Sequence, residues 1–485
     1  MLKQQISNAS RIPSRVPAPQ HCIVDLRASL RYSSTTAGNQ AGSGSQRRTP
    51  VLTVPTTGDT VDPGSQIQYW RRVGIWSDVD ERLFLSHRWQ TRNGIDKRGK
   101  LLDFLSSVLP EKIPPAKRDI LGQTARIRTR AAFVKDVEDG MQVAPMSVRL
   151  TPHVLSVADW TDPINDPIRR QFIPLKSTLL PDHPKAVYDS LHEDDDSPVH
   201  GLVHRYPDKA LFLATSICPV YCRFCTRSYA VGLDTESVKK ASLKPKRSHW
   251  ETMFDYIEKT PAIQDVVVSG GDSYLLQPDQ LQLIGERLLS IPHIKRFRFA
   301  TKGLAVSPVR ILDRADGWTD AFVDLSNKGR ALGKQVAMHT HFNHPSEVTW
   351  ITELAARYLF AQGVIVRNQT VLLRGVNDDV RTMSTLIRKL ADLNITPYYV
   401  YQSDMVKGIE DLRTPLSTII ELEKQIRGSI AGFMMPSFVV DVPGGGGKRL
   451  ANSFESYDPK TGVSTWKAPG VAGDQTFEYH DPIRA

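Results

Sequence analysis

Three cysteines stand within eight residues, in Cys218-Pro219-Val220-Tyr221-Cys222-Arg223-Phe224-Cys225. Thiolates at x3 and x2 spacing can hold three irons of a cubane [4Fe–4S] cluster, one each, which leaves the fourth iron without a protein ligand. An open metal position lets a small molecule bind the metal directly, as it does in catalytic zinc sites. The competing chemistry is a structural zinc completed by His200 or His204. Closed zinc sites draw their remaining ligands from a second short-spaced pair, and the one other cysteine is the remote Cys22, so iron–sulfur is the better reading. Cysteines used this way form no disulfide framework and fit a reducing compartment.

Lys448 follows four glycines in Asp441-Val442-Pro443-Gly444-Gly445-Gly446-Gly447-Lys448. A Walker phosphate loop needs Gly six positions before its Lys and Ser or Thr after it, but Val442 and Arg449 hold those places. A lysine that carries pyridoxal phosphate as a Schiff base must be released when a substrate amine replaces it. A glycine hinge suits that exchange.

These groups need a frame that brings them together. From Leu211 onward, short β-branched or apolar runs at 211–216, 266–270, 298–301, 335–342, 364–373 and 398–402 alternate with amphipathic stretches such as 280–289 and 384–393. Strand–helix alternation at this pitch predicts an α/β fold with a parallel sheet. About six such units predict a partial (β/α)6-type TIM barrel, with its chemistry at the carboxyl ends of the strands, although a doubly wound sheet shares the pattern. The cysteine loop directly follows the first run. Residues 67–200 are predicted to be mostly helical, with tryptophans such as Trp89 serving a core. Glu193-Asp194-Asp195-Asp196-Ser197-Pro198 lacks the alternating ligands and turn glycine of a calcium loop and is predicted to be a solvated acidic turn. The barrel is predicted over 201–448, with 449–485 a polar, Gly/Pro-dotted tail packed over it.

A C-x3-C-x2-C loop after a barrel strand resembles the radical S-adenosylmethionine superfamily, and Ser269-Gly270-Gly271-Asp272 resembles that superfamily's glycine-rich turn. With Arg205-Tyr206-Pro207-Asp208, His341-Phe342-Asn343-His344-Pro345, Asn368-Gln369, Asp404 and the glycine–lysine segment, the chain from about residue 70 to about residue 470 resembles lysine 2,3-aminomutase. The resemblance implies an isomerase that interconverts L-lysine and L-β-lysine, with a [4Fe–4S] cluster, S-adenosylmethionine and pyridoxal 5′-phosphate in one cavity. It would assign Cys218, Cys222 and Cys225 to the cluster and Lys448 to pyridoxal phosphate. Arg205, Tyr206 and Lys209 would face the phosphate. Ser269, Gly270, Gly271, Asp272, His341 and Gln369 would contact S-adenosylmethionine. Arg227 would take the substrate carboxylate, and Asp404 with Asp441 the side-chain ammonium of lysine. An electron donor to the cluster is implied, a homo-oligomer is left open, and neither nucleic acid nor membrane is called for.

The chain departs from the family's pattern in places. Lys209 stands where Arg is common, Phe224 where His is common, and Arg298-Phe299-Ala300-Thr301-Lys302 replaces an Arg-x-Gly-Ser-Arg segment. The additional cysteines that hold zinc in some bacterial members are missing, so zinc is not expected. Arginine is a rival substrate, because a guanidinium also pairs with two acids. A cluster-bearing scaffold without turnover is the non-enzymatic alternative, against which the joint presence of the three Cys, both Asp and Lys448 argues.

The 485 residues, 40% hydrophobic and 24% charged, exclude collagen-like, coiled-coil and wholly disordered classes. Residues 1–50 carry seven Lys or Arg against one acid, Asp25, so six of the ten net positive charges fall there and a basic nucleic-acid-binding body is not implied. That Arg- and Ser-rich composition predicts a mitochondrial transit peptide, and hence a eukaryotic, mitochondrial-type homologue working in the matrix.

Overall fold

The computed structural model describes residues 68–241 and 247–483. The targeting segment expected over 1–50, with Cys22, lies outside the described residues.

Nine strands form one sheet in chain order: β1 (Leu202–Tyr206), β2 (Lys209–Thr215), β3 (Asp265–Gly270), β4 (Arg296–Ala300), β5 (Gln335–Thr340), β6 (Ile365–Val371), β7 (Ile395–Tyr401), β8 (Ser437–Val442) and β9 (Gly447–Leu450). β2 through β8 run parallel, and β1 and β9 are antiparallel edges. The result is a nearly closed, partial TIM barrel. β1 and β9 do not pair with each other. The seam between them is instead crossed by the Lys448 backbone N–H, which donates to the Tyr206 hydroxyl at 3.2 Å.

The six expected strands correspond to β2–β7, and the wall gains a seventh parallel strand, β8. Its run of Phe438, Val439 and Val440 is fully apolar because both faces are covered, which is how a central parallel strand reads. The outer helices form where the sequence supplies caps and a 3.6-residue apolar period. Pro278–Ser290 starts with a Gln277/Gln280 capping box and buries Leu281, Ile284 and Leu288. Val380–Asp392 is capped by the Asp379 carboxylate and buries Met383, Leu386, Ile387 and Leu390 on one face. Each such Leu or Ile contributes about 1.5–3 kcal/mol by leaving water.

Two regions brace the barrel's active end. Short helices between Glu81 and Phe172 pack around Trp70, which stacks on Phe84 at 4.3 Å, with Trp89 half-buried against the same core. From this region the backbone carbonyls of Arg149 and Gln171 accept the N–H groups of Tyr221 and Arg223 in the cysteine loop, at 3.0 and 2.9 Å. The tail is more ordered than its polar composition suggests. Strands β10 (Ser456–Asp458), β11 (Val463–Ala468) and β12 (Gly473–His480) form an antiparallel sheet that buries Trp466 and Tyr479 against β8. Alternation of apolar with polar residues in β11 and β12 lets one face pack while the other stays solvated. The Tyr479 hydroxyl donates to the Ser403 carbonyl at 3.0 Å, so this sheet supports the segment leading to Asp404. Among the described residues, no helix is long and apolar enough to cross a membrane.

Candidate active site in the barrel cavity

The barrel encloses two connected chambers. The larger, about 700 Å³, is lined by Arg205, Lys209, Arg298, Arg367 and the β7 tyrosines. The smaller, about 280 Å³, is lined by the three cysteines and the 269–272 turn. Arg227, Ser269, Gln369, Asp441 and Lys448 line both. Everything predicted to do chemistry thus opens on one continuous space, of a size that suits small-molecule ligands.

The cysteine loop leaves the carboxyl end of β2. All three thiols are unpaired and partly buried. Burial pushes Cys222 up to about 12 and raises Cys218 and Cys225 as well, a cost that a cationic metal beside the thiolates would offset. Among the described residues no group of three or more His, Cys, Asp or Glu converges on one metal ion. A cubane asks for something different, one thiolate at each of three separate irons, and the loop supplies that donor set. Gly270 and Gly271 dock this loop on β3. The Gly271 N–H donates to the Thr215 carbonyl at 2.5 Å, and a Cβ at Gly271 would collide with the Ile217 backbone.

Lys448 is placed by strand register. β8 and β9 form a hairpin in which Asp441 is the cross-strand partner of Lys448. Gly444, Gly445 and Gly447 in the turn have positive φ, which explains the glycine run as backbone geometry. The pairing sets Lys448 Nζ 2.5 Å from Asp441 Oδ2, with the Tyr401 ring 5.6 Å away. Burial works against the ammonium, but Asp441, Tyr401 and Tyr206 hold it charged well above the ordinary lysine range. Asp441 is buried, and its second oxygen, Oδ1, has no hydrogen-bond partner among the described residues. Asp404, in the loop after β7, receives the Thr226 hydroxyl at 2.5 Å. Burial and then the Asp441 charge push its carboxyl up to about 7.

No family model matches the chain. Over 382 residues it is 38% identical to the L-lysine 2,3-aminomutase of Clostridium subterminale, spanning 78% of this chain and 80% of that protein. It is 35% identical over 386 residues to the Bacillus subtilis enzyme of the same name, covering 79% and 72%. Glutamate 2,3-aminomutase of Clostridioides difficile is 34% identical over 299 residues, covering 62% and 66%. The chain belongs to the lysine 2,3-aminomutase family.

As a lysine 2,3-aminomutase homologue, the chain carries arginines that are less free than their residue types suggest. Arg227 forms a two-pronged pair with Glu193 at 2.6 and 2.7 Å, and the Tyr229 hydroxyl donates to the same carboxylate at 2.9 Å. Arg205 donates to Asp196 at 2.6 Å and to the Leu191 carbonyl. The acidic turn predicted to be solvated therefore reaches into the site. Glu193 is 4% exposed, and Asp196 anchors a second arginine. Composition hid this, because the two carboxylates that turn inward are indistinguishable from the exposed Asp195 between them. Arg298 and Arg367 were also missed as cavity residues. They lie on β4 and β6, and inward-facing charges on barrel strands carry no local signature. Lys209 lies 4.0 Å from the centroid of the Tyr206 ring.

The remaining predicted contacts lie around the smaller chamber. Ser269, Gly270, Gly271, Asp272, His341 and Gln369 all line it. Asp272 accepts the backbone N–H groups of Tyr274 and Lys302 at 2.8 and 2.7 Å, so its carboxylate holds the turn together. His341 bonds Asn343 at 3.0 Å, and burial together with Lys302 lowers it to about 3, leaving a neutral imidazole. His339 on β5, which sequence reasoning overlooked, lines both chambers with neither ring nitrogen hydrogen-bonded among the described residues.

Asp404 supplies a direct check. Its carboxyl in the cofactor-free protein should titrate near 7 by NMR of protein labelled at aspartate side-chain carbons. Removing the like charge in Asp441→Asn should bring that midpoint down, since Asp441 raises it and Lys448, released from its partner, lowers it. A midpoint that stays put or rises contradicts the coupling.

Proposed function

We propose that the chain is a lysine 2,3-aminomutase, an isomerase that interconverts L-lysine and L-β-lysine. The observation that carries this reading is the meeting of Asp404, Asp441 and Lys448 with three unpaired thiols around one cavity. Cys218, Cys222 and Cys225 would hold a [4Fe–4S] cluster, the 269–272 turn with His341 and Gln369 would face S-adenosylmethionine, and Lys448 would carry pyridoxal phosphate. When bound, the cluster and S-adenosylmethionine supply a radical able to remove an unactivated hydrogen, and pyridoxal phosphate supplies the conjugated system over which nitrogen migrates.

The chain's own residues bind, orient and exclude water. Arg367, bonded to the neutral Gln335, offers the larger chamber positive charge for a phosphate, while Arg205, Lys209 and Arg298 stand beside it paired with Asp196, Asp208 and Asp265. Arg227 presents a guanidinium to the substrate carboxylate, with its plane fixed by Glu193. Asp441, paired with Lys448 in the free protein, becomes available to a substrate ammonium once Lys448 is committed elsewhere. Asp404 then gives up its proton to bind that cation, so lysine binding weakens as pH falls through about 7. A glutamate side chain meets two carboxylates here and is disfavoured. The cluster requires an external electron donor.

The deciding assay incubates reconstituted protein anaerobically with S-adenosylmethionine, a reductant and lysine, arginine or glutamate in parallel. β-Lysine should form, with the other two substrates far slower; no β-lysine, or faster turnover of arginine, contradicts the assignment. The basic, acid-poor composition of residues 1–50 supports a mitochondrial matrix location and a eukaryotic-type homologue. A fluorescent reporter fused behind those residues should enter mitochondria, and one that stays in the cytosol contradicts the targeting.

A further inference from the structure

Asp404's carboxylate has one hydrogen-bond donor among the described residues, the Thr226 hydroxyl at 2.5 Å from Oδ2. Thr226 stands between Cys225 and Arg227, so the cysteine loop is linked directly to the loop after β7, beside which Phe224 packs with Val406 and Ile409. That stretch is held firmly. The Ser228 N–H donates to the Cys225 carbonyl at 3.1 Å and the Ala230 N–H to the Arg227 carbonyl at 3.0 Å. Arg223, two residues before Cys225, is buried in an ion pair with Asp411 at 2.8 Å. On the other side, Asp404 follows Ser403, whose hydroxyl donates to the Leu372 carbonyl and whose own carbonyl is bonded by Tyr479.

A β-branched threonine has few side-chain rotamers, so its hydroxyl is presented in one direction. By engaging Oδ2 it favours one orientation of the carboxylate and leaves Oδ1 without a hydrogen-bond donor among the described residues. Two adjacent residues of one rigid loop then address both ends of a bound amino acid. Arg227 meets the α-carboxylate, and Thr226, through Asp404, fixes the receiver of the distal ammonium. We propose that Thr226 is a positioning residue that sets the span between these two ends and so makes the site selective for a side chain of lysine's length. The proposal rests on the lysine 2,3-aminomutase reading above.

The test measures binding by calorimetry on anaerobic holoenzyme without reductant, so that no turnover occurs. The ligands are lysine, ornithine (one methylene shorter) and norleucine (lysine's length without the ammonium). Thr226→Val, which keeps the shape and removes the donor, should weaken lysine binding roughly tenfold, the scale of a hydrogen bond to a charged group. Norleucine should be unaffected, and the preference for lysine over ornithine should shrink. Thr226→Ser should retain most of that preference. Iron and pyridoxal phosphate contents, measured alongside, should match the wild type. A fully loaded Thr226→Val protein with an unchanged lysine-to-ornithine ratio, or with equal losses for lysine and norleucine, overturns the proposal. If Thr226→Val does not load, Thr226→Ser carries the test, and loss of lysine preference in a loaded serine variant overturns it. Failure of the underlying reading looks different: the wild type itself would not prefer lysine to norleucine, and Asp404→Asn would change nothing.

Discussion

Two carboxylates facing one protein-lined cavity need a cation between them, and much of the site follows from that need. Asp404 is pushed up to about 7 because it is buried and Asp441 is near. Asp441 is buried and paired with Lys448. In the protein without ligands, the Lys448 ammonium supplies the positive charge. Once Lys448 is used for another purpose, the charge must come from outside, and an amino acid with a distal ammonium is a chemically apt source. Like charges left unbalanced at this depth would shift their protonation or distort the site.

The architecture converts strand register into that arrangement. Asp441 and Lys448 face each other because β8 and β9 pair with no slip, and a one-residue shift would turn one of the two side chains out of the cavity. The barrel stays open at the same place, and the Lys448 N–H crosses the seam to Tyr206. At the other end of the cavity, the cysteine loop is tied to β3 through Gly271, to the N-terminal region through Arg149 and Gln171, and to the β7 loop through Thr226. The groups that would hold the cluster and those that would select the substrate thus share one scaffold. Arg227, half-buried, and the buried Glu193 add a two-pronged ion pair that is costly to break from the arginine side.

The legible part of this protein was the part with local signatures. The x3 and x2 cysteine spacing, the glycine run before Lys448 and the alternation of short strands with amphipathic helices each have a short-range physical cause. They sufficed for an α/β fold with a parallel sheet and for the cysteines and Lys448, while the family resemblance supplied the other named cavity residues. The glycine run also serves a hairpin turn, in which Gly444, Gly445 and Gly447 have positive φ. What the sequence did not disclose depends on contacts between distant residues. Glu193 meets Arg227 from 34 positions away, and Thr226 meets Asp404 from 178. Arg298 and Arg367 turn inward for reasons of barrel register alone. The ordered C-terminal sheet was hidden by its exposed face, whose polar residues diluted the buried Trp466 and Tyr479.

The central claim is that Lys448, set beside Asp441 by the hairpin, is the group that holds pyridoxal phosphate in this cavity. Borohydride reduction of the pyridoxal-phosphate-loaded protein followed by peptide mapping tests it most directly. A stable phosphopyridoxyl adduct on Lys448, and none in Lys448→Ala, is the expected result. An adduct carried instead by Lys209 or Lys302, the other two lysines that line the chambers, would contradict it.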